Sequence, residues 1–258
     1  RGAIFVEDIA AIPEGAVTVF SAHGVATAVV AAARARRLRV IDATCPLVTK
    51  VHLQAQRYSQ RGYTIVVVGH AGHEEVEGTR GSVGGPVHVV GTLEEIAALP
   101  MASDQPVAYV TQTTLSIDDT RDLIDALEAR YPDIVGPGLD DICYATLNRQ
   151  RAVQQLSKRV DLVIVVGARN SSNSNRLQEV AADQGVPARL IEDEAELQPV
   201  WLEGVQHIGI TAGASTPEYL VHKVCQRLIA LGARSVRELP GLAETVRFRL
   251  PEMLQRTG

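Results

Sequence analysis

The sequence predicts an α/β protein made of several small domains with parallel sheets that face a central cleft. Short runs of valine and isoleucine, typical of strands buried on both faces, alternate with longer segments of helical periodicity. Such alternation is typical of parallel sheets whose strands are connected by helices. A polar loop follows most of the runs, and ligands of open α/β sheets bind at the carboxyl ends of strands. The 258 residues are enough for one large domain or for two to three small ones.

The order of these elements can be read along the chain. The apolar runs predict strands at residues 17–20, 39–42, 64–68, 107–110, 161–166, 188–191 and 207–210. The helical pattern predicts helices at residues 25–36, 46–60, 116–130, 144–157, 173–184 and 216–231. AIFV at residues 3–6 is strand-like, GHAGHEEVEGTRG at 69–81 is predicted to be a polar loop, and GPGLDD at 136–141 is the best candidate for a domain junction.

Composition excludes several functional classes. The net charge of −5 gives no bulk electrostatic reason to bind nucleic acid. The arginines at positions 34, 36, 37 and 39 are interpreted as the solvated C-terminal end of a helix. The sequence shows neither a signal peptide nor the roughly 18 uninterrupted apolar residues of a membrane span. Three dispersed cysteines fit a reducing compartment, so we expect a cytoplasmic protein with no membrane partner.

Two of the cysteines precede predicted helices. Cys45 lies in ATCPLVTK, where Pro46 suits the first position of a helix, and Cys143 lies in DDICYATLNRQ. The helix dipole favours a thiolate at such a position. These residues are therefore either ligands of a metal cluster, reactive thiols or small buried hydrophobic residues, and the pattern leaves these alternatives open. Cys225 lies in the middle of a predicted helix and is interpreted as a packing residue.

Three loops are rich in small hydroxyl or amide side chains. RNSSNSNR at 169–176 carries three serines and three asparagines, whereas one helix cap needs only one such residue. The surplus donors suit a phosphate or a diphosphate, and the alternative is a polar turn with a good cap. TQTTLS at 111–116 and TAGAS at 211–215 repeat this composition, which favours a multiply charged anion. None of the loops has the spacing of a P-loop.

The histidines and glutamates of residues 69–81 leave several alternatives open. His23, in SAHGV, and His70 and His73 can donate hydrogen bonds to phosphate oxygens. His70, His73 and Glu75 could also form a zinc site, although helical zinc pairs are usually four residues apart rather than three. One glutamate of this segment could keep a raised pKa and deliver a proton, but the sequence does not choose among them. The other histidines are interpreted as structural or solvated.

Taken together, the motifs resemble those of one enzyme family. FSAHGV, DATCPLVTKVH, GHAGHEEVEGT, TQTTLS, DDICYATLNRQ, GARNSSNSNRL and TAGAS occur in the order seen in the 4-hydroxy-3-methylbut-2-enyl diphosphate reductases, also called the IspH or LytB family. The resemblance spans almost the whole chain. It implies a trefoil of three α/β domains and an oxidoreductase of isoprene biosynthesis. Such an enzyme reduces (E)-4-hydroxy-3-methylbut-2-enyl diphosphate to isopentenyl and dimethylallyl diphosphate, the last step of the non-mevalonate pathway.

The resemblance also implies roles for individual residues. It implies an iron–sulfur cluster of the 4Fe-4S type, which can also be seen as 3Fe-4S, with Cys45 and Cys143 as two of its three cysteine ligands. Glu75 resembles the proton donor. The residues that resemble substrate-binding ones are His23, His73, Thr113, Ser171, Ser172, Asn173 and Ser215. A reduced ferredoxin or flavodoxin is the implied electron donor.

The chain departs from the family pattern in two ways. Members of the family open with a segment that carries the first cluster cysteine, and this sequence begins at Arg1 without it. We therefore expect a fragment with a first domain shortened at its N-terminus. The family also usually has proline where this chain has Glu74. The glycines of residues 69–81 are expected to let the backbone approach the ligand. Glu75 is expected to keep its role.

The domain boundaries implied by the resemblance are 1–45 for the rest of the first domain, 46–139 for the second and 140–228 for the third. Residues 229–258 are expected to return towards the first domain. Two other functions remain possible at this point. The chain could be an inactive fragment that only binds a phosphorylated ligand, or a zinc hydrolase that uses His70, His73 and Glu75.

Overall fold

In a computed structural model, which describes residues 2–241, 245–251 and 254, the chain divides into two compact units. The first contains the chain up to Thr113, Asp118–Asp141 and the described part of the C-terminal segment from Val246. The second contains Thr114–Ile117 and Ile142–Thr245. The boundaries of the three expected domains stay a prediction. No helix among the described residues is both long and apolar enough to cross a membrane.

The first unit holds two parallel sheets. Its strands are β1 (Val17–Phe20), β2 (Arg39–Asp42), β3 (Thr64–Val68), β4 (Val87–Val90) and β5 (Val107–Thr111). Its helices are α1 (Thr27–Ala35), α2 (Pro46–Gln60), α3 (Glu74–Ser82), α4 (Leu93–Ala97) and α5 (Ile117–Arg130), preceded by a short 3-10 helix at Ile9–Ala11. β1 pairs with β2, and β3 lies between β4 and β5 in the second sheet.

The core of the three-stranded sheet explains its apolar sequence. Ile65 and Val67 of β3 are buried and pack with Val51 and Ala55 of α2. The alternate residues of β3, Val66 and Val68, are fully buried as well. A central parallel strand is covered on both faces, so it needs a continuous apolar run rather than an alternating one.

β5 lies at one edge of this sheet, and its outward peptide groups have partners. The N–H of Tyr109 donates to the carbonyl oxygen of Val135 at 2.9 Å. The N–H of Thr111 donates to the buried carboxylate of Asp141 at 3.3 Å. Residues that follow β5 therefore take up hydrogen-bonding groups that a further strand would otherwise use.

The second unit holds one parallel sheet of three strands. Its elements are α6 (Tyr144–Ser157), β6 (Leu162–Val166), α7 (Ser172–Asp183), β7 (Ala188–Ile191), β8 (Ile208–Ala212) and α8 (Glu218–Ala230), with 3-10 helices at Glu194–Glu196 and Pro199–Leu202. β6 lies between β7 and β8, and every residue of β6 is buried. Leu177 of α7 packs on one side of the strand, and Val224 and Leu228 of α8 pack on the other.

The predicted α/β class with parallel sheets is confirmed, and most predicted elements agree with the structure within two residues. The prediction of a polar loop at 69–81 was wrong in its second half, because α3 begins at Glu74. The sequence did not predict strand β4 or the short helix α4. AIFV at residues 3–6 forms no strand, and Ile4 and Phe5 are exposed. Local apolar character therefore predicted a strand that the described residues do not cover.

Candidate functional site

Five residues of the first unit form what we call the histidine–glutamate cluster: His23, His73, Glu74, Glu75 and Thr113. His23 follows β1, residues 73–75 follow β3 at the start of α3, and Thr113 follows β5. All therefore lie at the carboxyl ends of parallel strands, where α/β sheets bind ligands. The three glutamates in the first turn of α3 also suit the positive end of its dipole, and they help to start a helix that contains two glycines.

Glu75 is the buried acid of the cluster. Only 2% of the residue is exposed. Its Oε1 accepts a hydrogen bond from the peptide N–H of Thr113 at 2.7 Å, and its Oε2 lies 3.0 Å from the Thr113 hydroxyl. Burial raises the pKa of Glu75 above its ordinary value, and the two bonds from Thr113 oppose that rise. The carboxyl group can therefore hold a proton while it stays anchored to Thr113.

His73 is the N-cap of α3 and its ring is oriented by that role. Nδ1 accepts a hydrogen bond from the peptide N–H of Glu75 at 3.2 Å. Burial lowers the pKa of His73, and His23 and His70 lower it further, while Glu74 raises it. A neutral ring that accepts at Nδ1 carries its proton on Nε2. His73 therefore presents a neutral N–H donor on the side away from α3.

His23 contacts the same helix start through another residue. Its Nδ1 lies 2.7 Å from Oε2 of Glu74 and 3.4 Å from the Ser21 hydroxyl. The rings of His23 and His73 meet edge to face, with their centroids 5.6 Å apart. Both imidazoles thus use Nδ1 to contact residues 74–75, which leaves Nε2 of each ring for another group.

Close packing of α3 against the His23 loop corrects one expectation about the glycines. A Cβ on Gly78 would come within 3.1 Å of the carbonyl oxygen of Gly24, and one on Gly81 within 2.3 Å of the Ala26 Cβ. These two glycines therefore let one piece of backbone approach another, rather than a ligand. Because these glycines have no side chains, α3 lies close enough to the loop after β1 for Glu74 to reach His23.

An ion pair lies in the same unit. The Asp141 side chain is fully buried, accepts from the peptide N–H of Thr111, and lies 3.6 Å from Nζ of Lys50. Lys50 also donates to the carbonyl oxygen of Asp140 at 2.9 Å. Burial raises the pKa of Asp141, whereas Thr111 and Lys50 lower it. Asp141 in turn contributes to the raised pKa of Glu75.

The cysteines divide as the sequence predicts. Cys45 is the N-cap of α2 in the first unit, and Cys143 is the N-cap of α6 in the second, with both side chains half-buried and unoxidised. Sγ of Cys143 accepts a hydrogen bond from the peptide N–H of Thr146 at 3.3 Å. Cys225 lies inside α8, where burial raises the pKa of its thiol.

The serine–asparagine cluster occupies the start of α7 in the second unit. It comprises Ser171, Ser172, Asn173 and Ser174. Ser171 caps the helix by accepting from the peptide N–H of Ser174 at 3.3 Å, and the Ser172 hydroxyl lies 3.0 Å from that of Thr114. Asn173 is 7% exposed, and its buried amide oxygen and nitrogen have no hydrogen-bond partner among the described residues. Such a group is costly unless a ligand satisfies it.

Two glycines hold this cluster against the ends of its sheet. Gly167 follows β6 and Gly213 follows β8, and a Cβ on either would lie 2.2 Å from the Ser174 hydroxyl. A Cβ on Gly213 would also lie 3.5 Å from the amide nitrogen of Asn173. Ser215, in the exposed turn after Gly213, completes the set of predicted anion-binding residues. The second unit thus gathers its small polar side chains at the carboxyl ends of two strands.

The comparison with known proteins decides the family. A family model described as LytB protein matches residues 1–229. The chain belongs to this LytB family. The 4-hydroxy-3-methylbut-2-enyl diphosphate reductase of Zymomonas mobilis is 54% identical to it, over 99% of this chain and 75% of the relative. Reductase 2 of Bradyrhizobium diazoefficiens is 57% identical over 98% of this chain and 82% of the relative.

Solved structures of LytB relatives show the same fold. The E-1-hydroxy-2-methyl-but-2-enyl-4-diphosphate reductase from Plasmodium falciparum matches with a TM-score of 0.92 and 34% identity, over 99% of this chain and 81% of that one. A second structure, named as the terminal enzyme of the non-mevalonate pathway, matches with a TM-score of 0.58 and 35% identity, over 87% of this chain and 79% of that one.

In this LytB chain, the structure brings some predicted site residues together. Within the first unit, His23, His73, Glu75 and Thr113 meet in one cluster. The zinc interpretation gains no support, because Nδ1 of His73 and both oxygens of Glu75 are engaged within the protein. Among the described residues, no three histidine, cysteine or acidic side chains are placed to hold a metal ion. His70 contributes its peptide N–H, which donates to Gln112.

Sequence reasoning missed the contacts of three residues near the candidate site. The sequence assigns no role to Lys50 or Asp141, and it presents Glu74 as one of several possible proton donors and as a departure from the family pattern, not as a partner of His23. An acidic residue next to a cysteine motif and a lysine one and a half turns into a helix are common surface patterns, so neither indicates that a buried acid pairs with a half-exposed lysine. The contact of Glu74 with His23 joins residues 51 positions apart, which no local pattern reveals.

Proposed function

We propose that this chain reduces (E)-4-hydroxy-3-methylbut-2-enyl diphosphate to isopentenyl and dimethylallyl diphosphate, the last step of the non-mevalonate pathway. The reaction takes two electrons and two protons, and it releases the substrate hydroxyl as water. The relatives carry the name of this activity. The single structural observation that best supports it is the buried Glu75 carboxyl, anchored to Thr113 beside two histidines.

Glu75 is proposed as the proton donor. A buried carboxyl with a raised pKa keeps its proton at neutral pH more readily than an exposed one. When protonated, Oε2 can donate to the Thr113 hydroxyl, which then donates its own proton onward. Thr113 is therefore proposed to lie next to the substrate hydroxyl and to pass on the proton that turns it into water.

The substrate diphosphate is proposed to be held by residues of both clusters. Nε2 of His23 and of His73 faces away from the start of α3, and the dipole of that helix also favours an anion. Ser171, Ser172, Asn173 and Ser215 are proposed to supply further donors. The unpartnered amide of Asn173 supports this role, since its nitrogen can donate to a diphosphate oxygen. Anchoring the diphosphate fixes the position of the hydroxyl at the other end of the substrate.

The residues present fit part of an iron–sulfur site. Cys45 and Cys143 are half-buried thiols at the positive ends of two long helices, which is a suitable setting for thiolate ligands. A cluster uses three or four such ligands, and Cys225 does not fit because it lies inside a helix. When bound, a cluster of the 4Fe-4S type would supply electrons and a Lewis-acidic iron for the hydroxyl. We propose Cys45 and Cys143 as two of its ligands.

The electrons would come from outside the chain. We propose a reduced ferredoxin or flavodoxin as donor, in the cytoplasm, because the overall reaction consumes two electrons per turnover.

An anaerobic assay on protein expressed from the complete gene tests the proposal. The reconstituted enzyme, given a reductant and (E)-4-hydroxy-3-methylbut-2-enyl diphosphate, is expected to form both C5 diphosphates. The same preparation should bind inorganic diphosphate in calorimetry. Binding of diphosphate without reduction of the substrate would instead favour a protein that only binds phosphorylated ligands. Bound zinc in place of iron would favour the zinc hydrolase.

A further inference from the structure

Glu74 occupies a place that the proposed reaction does not explain. It lies between the two residues with assigned roles, His73 and Glu75, and it is the first residue of α3. Its side chain is 72% exposed, yet its carboxylate lies 2.7 Å from Nδ1 of His23, whose side chain is 47% exposed. An ion pair this exposed contributes little to folding stability. The main effect of this ion pair is therefore on the orientation of the His23 ring.

The orientation follows from the geometry of an imidazole. Its two nitrogens point in different directions, so a partner fixed at Nδ1 determines where Nε2 points. His73 is also held at Nδ1, but in the opposite direction, since there the nitrogen accepts from the peptide N–H of Glu75. The two adjacent residues of α3 therefore hold two different rings by the same atom. In metal sites, a carboxylate at the second nitrogen of a ligating histidine fixes the ring in this manner.

Packing of the backbone brings Glu74 and His23 into contact distance. Gly78 and Gly81 bring α3 against residues 24–26, immediately after His23. Nδ1 of His23 also lies 3.4 Å from the Ser21 hydroxyl, and the His23 ring meets the His73 ring edge to face. Glu74 is thus the acidic side chain in hydrogen-bonding distance of this ring among the described residues.

We propose that Glu74 is a positioning residue: its carboxylate accepts from Nδ1–H of His23 and so aims the second N–H of the imidazolium ring, at Nε2, at the substrate diphosphate. The inference rests on the proposed function for the identity of the anion. The negative charge of Glu74 also repels a diphosphate, and that repulsion weakens binding. The two effects have opposite signs in a binding experiment, so they can be separated.

A double-mutant cycle with inorganic diphosphate tests the proposal. Glu74→Ala should weaken diphosphate binding, measured by calorimetry, by roughly tenfold, the low end of effects seen when an orienting partner is lost. In a His23→Ala background the same change should alter affinity by less than about twofold, because the ring that Glu74 orients is gone. Glu74→Gln should keep most of the affinity, since its amide oxygen also accepts from Nδ1–H.

Two further variants separate positioning from helix structure. Glu74→Pro suits the first position of a helix and removes the carboxylate, so it should weaken binding as Glu74→Ala does. Glu77→Gln removes a charge from the same turn, next to Arg80, and should leave affinity unchanged. An equal loss in the His23→Ala background, or tighter binding by Glu74→Ala, would overturn the proposal.

The outcome can be told apart from failure of the proposed function. In the assembled enzyme, Glu74→Ala should raise KM with little change in kcat, because only anion binding is affected. If the enzyme reduces no diphosphate substrate but the cycle still shows coupling with His23, the proposed reaction fails and the role of Glu74 stands. If reduction occurs and the coupling is absent, the proposed reaction stands and the role of Glu74 fails.

Discussion

Thr113 contacts the Glu75 carboxyl twice, through its peptide N–H at 2.7 Å and its hydroxyl at 3.0 Å. The first bond is fixed in direction, because a peptide N–H can only donate. The second can reverse, since a hydroxyl both donates and accepts. One contact thus anchors the acid while the other can transmit a proton.

Glu75→Gln should separate these two contacts. The amide oxygen of glutamine still accepts from the Thr113 N–H, but the side chain has no acidic proton to deliver. We expect kcat to fall by about 10²- to 10⁴-fold, the usual contribution of a general acid, with diphosphate affinity nearly unchanged. Steady-state kinetics and calorimetry measure the two effects. Glu77→Gln is the matched control, and retained turnover in Glu75→Gln would move the proton source elsewhere.

The raised pKa of Glu75 predicts a pH dependence of stability. A buried carboxyl that is raised above its unfolded value of about 4.5 stabilises the fold fully below that pH. This contribution is lost as pH rises through the folded value. Glu75→Gln lacks it, so the free energy of unfolding of the variant relative to wild type should increase as the pH rises above about 4.5. Urea titrations at several pH values measure this difference, and a constant difference would contradict the assignment.

The contacts of Ser174 predict a selective rescue. Gly213→Ala and Gly167→Ala both place a Cβ 2.2 Å from the Ser174 hydroxyl, and each should cost about 1–3 kcal/mol as overpacking does. At Gly167 the new Cβ would also lie 2.8 Å from the Ser174 Cβ, whereas at Gly213 the next atom is 3.2 Å away. Ser174→Ala should therefore restore stability to Gly213→Ala and leave Gly167→Ala destabilised. Thermal unfolding of the four variants gives the answer.

A second pair of substitutions tests the packing of α3 against residues 24–26. Gly81→Ala would place its Cβ 2.3 Å from the Cβ of Ala26, so it should destabilise the fold by about 1–3 kcal/mol and weaken diphosphate binding. Ala26→Gly removes the opposing atom and should recover much of both losses. If Gly81→Ala binds diphosphate as wild type does, the spacing of α3 does not govern the histidines.

Cysteine substitutions test the proposed cluster ligands. In protein from the complete gene, Cys45→Ser and Cys143→Ser should each reduce bound iron after anaerobic reconstitution, because each removes a thiolate at a helix start. Cys225→Ser should retain iron, since that thiol lies within α8. Iron per chain and the visible absorption of the sample measure the effect. Equal loss in all three would point to general misfolding.

The sequence predicted the elements whose signals are local. β3 and β6 have continuous apolar runs, and Pro46 marks the start of α2. α3 escaped prediction because two glycines lower its helix propensity, while its cap is a histidine rather than a serine or aspartate. The glycines are required by packing against residues 24–26, which lie about fifty positions earlier and leave no local trace.

The same distinction applies to the site. Motif resemblance indicated Glu75 and His73, whose neighbours in the chain carry the pattern. The pairing of Lys50 with Asp141 and of Glu74 with His23 depends on which loops meet at the ends of the strands. Those meetings are properties of the sheet order, and a single sequence does not contain them in any short segment.

The outer side of β5 has one more consequence. Every second peptide N–H from Tyr109 to Thr113 is taken, first by the Val135 carbonyl, then by Asp141 and then by Glu75. An open sheet edge is a template on which a strand from another molecule can pair and aggregate. Here two buried acids occupy those positions, so the acid proposed to deliver the proton also helps to keep neighbouring molecules from adding to the sheet.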